Sequence, residues 1–355
     1  MASIAGFRVA DPLGIQRVME PKGSLPQQAE RVDPRLPIAE DELLVEVESL
    51  NIDSASFHQI SEACGGDVAR IESHILELVS NRGKHHNPVT GSGGMFIGRV
   101  AQVGPRFPVA QKPVQVGDRI ASLVSLSLTP LAIRKIKHIH PLIDRVDIEG
   151  HAILFSSGIF VKLPKDLPET VALAVLDVAG APAQTRKLTE AGQTVLVIGG
   201  GGKSGVLCLF EAKRKPGVKT IAIEYSDVGI SRLKSLSFVD IVIQADARDS
   251  VGVMEKVRAA TDGKMADLVI NVANVPGTEM SSILSCRNQG IVYFFSMATN
   301  FTRATLGAEG VGADVVLRMG NGYAAGHAEL SLQILRESPE LYRLFMETYA
   351  VSSPN

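Results

Sequence analysis

The run VLVIGGGGKSGVLCLF, Val195 to Phe210, constrains the fold more than any other stretch, because glycines this dense beside Lys-Ser belong to a phosphate-binding loop. A triphosphate loop needs G-x-x-x-x-G-K-[ST], so that a long loop wraps the β-phosphate before Lys and Ser engage it. Counting back from Gly202-Lys203-Ser204, the first glycine of that pattern falls on Val197, inside an apolar run that reads as a strand. The dinucleotide pattern G-x-G-x-x-G is met by Gly200, Gly202 and Gly205, and Gly199-x-x-Gly202-x-x-Gly205 overlaps it. Its first glycine permits the turn, its second lets backbone approach a pyrophosphate, and its third lets helix pack on strand. TVLVIG precedes the loop as a buried strand, and a helix over Ser204 to Lys215 follows, stopped by Pro216-Gly217. Glu224 closes the next strand, KTIAIE, about 20 residues on, where a carboxylate accepts bonds from ribose hydroxyls and repels a 2′-phosphate. The expected cofactor is NAD, with NADP as the alternative.

The rest of the second half keeps the rhythm of βαβ units. DIVIQA, ADLVINV and GIVYFFSM read as strands, with helices over Asp227 to Leu236 (Asp227 as its N-cap), Ser250 to Ala260 and Thr278 to Arg287. Continuous Val/Ile/Leu runs suit parallel strands covered on both faces. A further strand, DVVLRMG, and an amphipathic helix from about Ala328 complete the chain. The first half holds shorter apolar runs suited to small antiparallel strands, ELLVEVESLN, GMFIGRVAQVG, DRIASLVSL and HAILFSSGIFVKL, and a helix over Asp67 to Ser80. The expected fold class is α/β: a β-rich N-terminal domain over 1–175 and a Rossmann doubly wound parallel sheet over 176–325. A C-terminal helical segment over 326–355 is a candidate to pack back on the first domain.

Composition limits the partners. Apolar residues make up 45% of 355 and charged residues 21%, the balance of a globular chain, and the formal net charge of −2 argues against a polyanion. No nucleic acid and no membrane is expected as partner. The start lacks a charged head with an apolar run, so the expected location is cytoplasmic. Cys64, Cys208 and Cys286 are scattered and form no CxxC pair, so no metal site is expected.

Ligands of open parallel sheets bind beyond the carboxyl ends of the strands. Those ends supply the further cofactor candidates: Lys203 and Ser204 in the loop, Ser226, Asp246 beside the adenine, Asn271 and Asn274 beside the nicotinamide, and Ser296. In the first half the polar cluster RGKHHNPVTGSGG, Arg82 to Gly94, offers Lys84, His85 and His86 as general base or substrate ligands. Adjacent histidines on a strand point apart, so one of the pair would face a site. Asp53 and Ser54 follow a strand in NIDSASF, Glu309 stands in glycine-rich LGAEGVG, and Tyr323, His327 and Glu329 stand in NGYAAGHAE, where the last two more readily start a helix.

The domain order, VGDRIASLVSL (Val116 to Leu126) and the GRVAQVG turn (Gly98 to Gly104) resemble the medium-chain dehydrogenase/reductase superfamily, with its GroES-like first domain. Zinc members carry a His-Glu pair just before that turn; here Gly94 and Met95 stand there, and Asn51 replaces the first metal-binding Cys. More closely, the strings LNIDSASF, RGKHHNPVTGSGGM, LDVAGAPAQT, VPGTEMSSIL, YFFSMAT and NGYAAGHAE resemble the L-erythro-3,5-diaminohexanoate dehydrogenase family over nearly the whole chain. That resemblance implies a diamino acid substrate and NAD-dependent oxidative deamination at C3. It carries no established acid or base. The chemistry asks for a base of near-neutral pKa, a carboxylate for the C5 ammonium and a cation or helix N-terminus for the substrate carboxylate. Lys84 and His85, ahead of His86, are the candidates for base and carboxylate partner. Asp53 and Glu309 are the ammonium candidates, and Asp177 is a further one. The alternatives are a zinc-free NADPH-dependent quinone or enoyl reductase, and an NADH-binding sensor without catalysis. A homodimer joined through the edge of the Rossmann sheet is expected.

Overall fold

The computed structural model describes residues 6–350 apart from Thr90, Ser92 and Asn321, and of Ser54, Ala55 and Leu142 it describes only the backbone. The chain divides into two compact units, Met1–Pro164 and Lys165–Asn355.

The first unit is built on an antiparallel sheet. Its strands are β3 (Leu43–Asn51), β4 (Met95–Val103), β5 (Arg119–Ser122), β6 (Leu131–His140), β7 (Arg145–Leu154) and β8 (Phe160–Lys162), in the order β6-β7-β3-β4-β5-β8. A short pair, β1 (Val18–Glu20) and β2 (Arg31–Val32), precedes them. Helices α1 (Ser54–Ala63) and α2 (Val68–Arg82) fill the connection from β3 to β4. Asp53 caps α1 by accepting from Ser56 N–H, and Asp67 caps α2 by accepting from Ala69 and Arg70 N–H. Ile71, Ile75 and Val79 of α2 join Leu43, Val45 and Val47 of β3 in one apolar core. The segment before β3 is anchored by a wholly buried ion pair. Arg17 grips both carboxylate oxygens of Glu42, at 2.8 and 2.5 Å, and its remaining protons go to the carbonyls of Asp33, Arg35 and Pro37. Every guanidinium proton thus replaces a bond it had to water, which is the condition for burying such a pair.

The second unit carries a six-stranded parallel sheet in the order β11-β10-β9-β12-β13-β14. The strands are β9 (Thr194–Ile198), β10 (Lys219–Glu224), β11 (Ile241–Gln244), β12 (Ala266–Asn271), β13 (Cys286–Phe294) and β14 (Val316–Met319). This is the doubly wound order with its reversal between β9 and β12, the place where such sheets open a crevice. The helices are α3 (Glu169–Leu176), α4 (Gly180–Leu188), α5 (Lys203–Lys213), α6 (Asp227–Lys234), α7 (Ser250–Ala260), α8 (Glu279–Leu284), α9 (Phe301–Gly310), α10 (His327–Glu337) and α11 (Pro339–Tyr349). Leu196, Ile221, Val269 and Val292, one from each central strand, meet in the core.

The expectations are corrected at several points. Helix α3 packs on α10 and α11, so the division falls at Pro164 rather than at 175, and the C-terminal segment belongs with the second unit. Ser226, not Asp227, caps α6. Helix α8 ends at Leu284, because β13 already begins at Cys286, opposite Ala266. Most of the glycine-rich LGAEGVG is the end of α9 rather than a loop; a Cβ on Gly307 would lie 2.3 Å from the sulfur of Met280, so that glycine lets α8 and α9 approach. Among the described residues, no helix is long and apolar enough to cross a membrane.

Candidate active site

The loop after β9 is the first of two sites. Gly199 takes φ +83°, and Gly202 is the N-cap of α5, so the chain turns from strand to helix within four glycines. Three of them are forced by packing. A Cβ on Gly199 would lie 2.9 Å from the Ala273 backbone, one on Gly200 2.8 Å from Ala222 Cβ, and one on Gly201 2.8 Å from Glu224 Oε2. Gly205, one turn into α5, would press on Gly199 O at 2.4 Å and Gly200 O at 2.5 Å, as helix-on-strand packing requires. Gly202 is different: nothing stands closer than 3.6 Å to its Cβ position, and its φ of −76° suits any residue. The protein's own packing does not demand a glycine there. A phosphate approaching the first-turn N–H groups of α5 would, so the residues fit a dinucleotide.

Glu224 ends β10 under this turn. Its Oε2 accepts from Gly201 N–H at 3.0 Å, and its Oε1 accepts from the N–H groups of Tyr225 and Ser226 and from Ser226 Oγ. Ser226 Oγ in turn accepts from Gly229 N–H and starts α6. Arg232, on α6, donates to Gly201 O at 2.6 Å; sequence reasoning passed over it, since an arginine mid-helix carries no motif. Lys203 opens α5 and gives its ammonium to Asp177 at 2.5 Å, while Ser204 occupies the same first turn.

Other strand-end candidates are committed elsewhere. Asn271 is fully buried and its amide donates to Thr278 Oγ1 and Ser282 Oγ while accepting from Ala273 N–H, so it braces the turn after β12 instead of facing the nicotinamide. Asp246 is paired bidentately with Arg248, which holds its carboxyl below the usual range. Ser296 accepts from Ala298 N–H, and Asn274 is exposed. Glu309 lies on the exposed last turn of α9. His327 opens α10, its ring edge-on to Tyr323, and Glu329 stands in the same first turn.

The second site lies in the first unit, where the chain leaves α2 through Gly83 at φ +67°. The segment Lys84–Asn87 is tied to α1 by Asn87, whose amide donates to Ser56 O and to Gln59 Oε1. Gly93 and Gly94 wedge between the parts: a Cβ on Gly93 would lie 2.4 Å from His85 O, and one on Gly94 2.1 Å from Asn51 O and 2.7 Å from Asp53 N. Asp53, the 84–87 segment and the end of β3 are thereby gathered around two residues without side chains. Ser54, whose side chain lies outside the described residues, follows Asp53.

Burial sorts the three basic candidates. Lys84 is fully buried and donates to Pro26 O at 2.8 Å, and burial pushes its ammonium down to about 8. His85 is also sealed, and burial pushes its imidazole down to about 4. Neither of its ring nitrogens has a hydrogen-bond partner among the described residues, nor has His86 Nδ1 or Asn51 Oδ1. His86 is only half-buried, and desolvation, with Lys84 and Arg82 nearby, lowers it below its usual range. Burial counts against the preference for Lys84 and His85 over His86, because of the three only His86 can be reached from outside. Among the described residues, no three His, Cys, Asp or Glu side chains gather as a metal site. The three cysteines are buried, and burial pushes the thiols of Cys208 and Cys286 up to about 12, which leaves them inert as nucleophiles.

Residues 16–164 match the family described as the L-erythro-3,5-diaminohexanoate dehydrogenase N-terminal domain. The chain is 53% identical to the L-erythro-3,5-diaminohexanoate dehydrogenase of Acetoanaerobium sticklandii, and 50% identical to that of Fusobacterium nucleatum. Each match covers 95% of this chain and 98% of the relative. Among solved structures, an alcohol dehydrogenase from Thermotoga maritima shares the fold with a TM-score of 0.53 at 14% identity, covering 88% of this chain and 85% of its own.

Two predictions follow from these geometries. Gly202→Ala leaves the thermal midpoint unchanged but weakens NADH binding at least tenfold, whereas Gly205→Ala lowers both, with about 1–3 kcal/mol of stability lost to overpacking. Equal loss of stability in the two variants would contradict the reading. The second concerns His85, which is neutral when folded and has a pKa below its unfolded value. Its contribution is complete above pH about 6.5 and is lost as pH falls toward about 4. Between pH 7 and 5 the wild type is expected to lose about 2 kcal/mol more than His85→Asn does, measured by urea unfolding. Parallel losses would show that His85 is not held neutral.

Proposed function

The chain belongs to the L-erythro-3,5-diaminohexanoate dehydrogenase family, and from that premise we propose that it carries out the NAD-dependent oxidative deamination of (3S,5S)-3,5-diaminohexanoate to (5S)-5-amino-3-oxohexanoate and ammonia, a step of anaerobic lysine fermentation. The observation that carries this reading is identity of 50–53% over 95% of the chain with dehydrogenases of that name. The glycine turn over Glu224 supports it independently. In the balanced reaction the C3 hydrogen leaves with its electron pair for the nicotinamide, water supplies the ketone oxygen, and ammonia departs.

The chain's own residues meet the remaining demands as follows. The first turn of α5 and Lys203 receive the pyrophosphate. Glu224 Oε2 carries one hydrogen bond and keeps a lone pair for a ribose hydroxyl, and its fixed negative charge disfavours a 2′-phosphate. NAD is accordingly the proposed cofactor. The C3 ammonium must lose a proton before its hydrogen can leave, and His86 Nε2 is the proposed acceptor. A histidine lowered below its usual range is neutral near pH 7 and ready to take it. The same base then activates the water. Asp53 keeps an exposed carboxylate beside this segment and is the proposed ammonium ligand. Two copies are proposed to pair through the edge strand β14, where Val316 and Met319 are exposed.

The test is initial-rate measurement of reduced nicotinamide and of ammonia with 3,5-diaminohexanoate, NAD and NADP run in parallel, on the wild type and on His86→Gln. Turnover with NAD, one ammonia per NADH, and a 10²–10⁴-fold lower kcat in the variant with NADH affinity preserved are expected, in the range typical of a lost general base. An unchanged kcat in His86→Gln would remove that residue from the chemistry. No turnover by wild-type protein that binds NADH would contradict the substrate.

A further inference from the structure

The pairing of Lys203 with Asp177 serves no evident purpose in the fold. Asp177 closes α3; its backbone N–H is used by Leu173 O, and its carboxylate has no hydrogen-bond partner but Lys203 among the described residues. The Lys203 side chain is 34% exposed and that of Asp177 54%, so water reaches both ends of the bond. Exposed pairs of this kind contribute at most about 1 kcal/mol. Yet Lys203 is the first residue of α5, and side chains there lean toward the helix N-terminus, the side on which the turn leaves room above Gly202. A carboxylate therefore holds the ammonium of the residue that opens the helix after the glycine turn.

We propose that Asp177 is an affinity-setting residue of the dinucleotide loop, whose carboxylate competes with the cofactor's pyrophosphate for the ammonium of Lys203. This rests on the reading of that loop as a dinucleotide site. The exchange is one anion for another. A diphosphate brings two charges and also accepts from the first-turn N–H groups of α5, so it displaces a single exposed carboxylate. The bond given up to Asp177 is subtracted from cofactor affinity, and the same carboxylate recaptures Lys203 as the cofactor leaves. Asp177 thus weakens binding of oxidised and reduced dinucleotide alike.

The experiment is fluorescence titration of the full-length protein with NADH, in wild type, Asp177→Asn, Lys203→Ala and the double variant, with thermal midpoints recorded for each. Asp177→Asn is expected to lower the Kd about two- to fivefold, the range an exposed ion pair can supply. Lys203→Ala is expected to raise the Kd, and in its background Asp177→Asn should change little. Asp177→Ser serves as a second variant and should match Asp177→Asn. An unchanged or raised Kd in folded Asp177→Asn overturns the proposal, as does the same gain with and without Lys203. If the wild type itself binds neither NADH nor NADPH, the dinucleotide reading fails and the proposal falls with it; the wild-type titration tells the two failures apart.

Discussion

The hydrogen bond from Gly201 N–H to Glu224 Oε2 joins the turn after β9 to the end of β10, and the ligand end of the second unit is arranged around it. One carboxylate fixes three things. It caps the turn, it takes the N–H groups of Tyr225 and Ser226 that open the way to α6, and it accepts from the Ser226 hydroxyl that starts that helix. The glycines on either side follow from its position: a Cβ on Gly229 would lie 2.6 Å from the Glu224 side chain, and one on Gly201 2.8 Å from its oxygen. Arg232 then pins the other face of the turn through Gly201 O. The same group thus sets the local backbone on both sides of the turn.

The first unit solves a different problem, holding polar groups out of water without saturating them. Lys84 and His85 of the 84–87 segment are sealed from solvent, and the His85 ring has no hydrogen-bond partner among the described residues. A buried unpaired polar group destabilises a fold by about 1–3 kcal/mol. The segment tolerates this because Asn87 ties it to α1 and two glycines let it close on β3. The result leaves His86 half-buried, where desolvation, with Lys84 and Arg82 nearby, lowers its imidazole below the usual range.

Much of this was legible in the residues. All six parallel strands stand where the apolar runs place them, because strands covered on both faces carry an unbroken Val/Ile signal. The glycine spacing located the turn, and Glu224 followed from its distance. Other parts were not legible. Strand β6, LAIRKIKHIH, hides because it lies at the sheet edge and carries charge on its outer face, where Arg134, Lys135 and Lys137 are exposed. Helix α9 hides behind Gly307 and Gly310, since glycine reads as a loop signal even where it serves close helix packing. Burial sorts the candidate side chains, and burial depends on tertiary contacts that no local pattern encodes. Lys84 and His85 ranked ahead of His86 until the fold closed over them, and Asn271 looked like a ligand until Thr278 and Ser282 took its amide.

The central claim is that this chain oxidises the amine-bearing C3 carbon of a diamino acid with a nicotinamide dinucleotide seated on the Gly199–Gly205 turn. The most direct measurement uses 3,5-diaminohexanoate carrying deuterium at C3, with NAD, and follows the label by mass spectrometry of the reduced cofactor and the product. The account predicts that the deuterium appears in the reduced dinucleotide and is absent from the keto product. Deuterium retained in the product, or reduced dinucleotide formed without label, would contradict it.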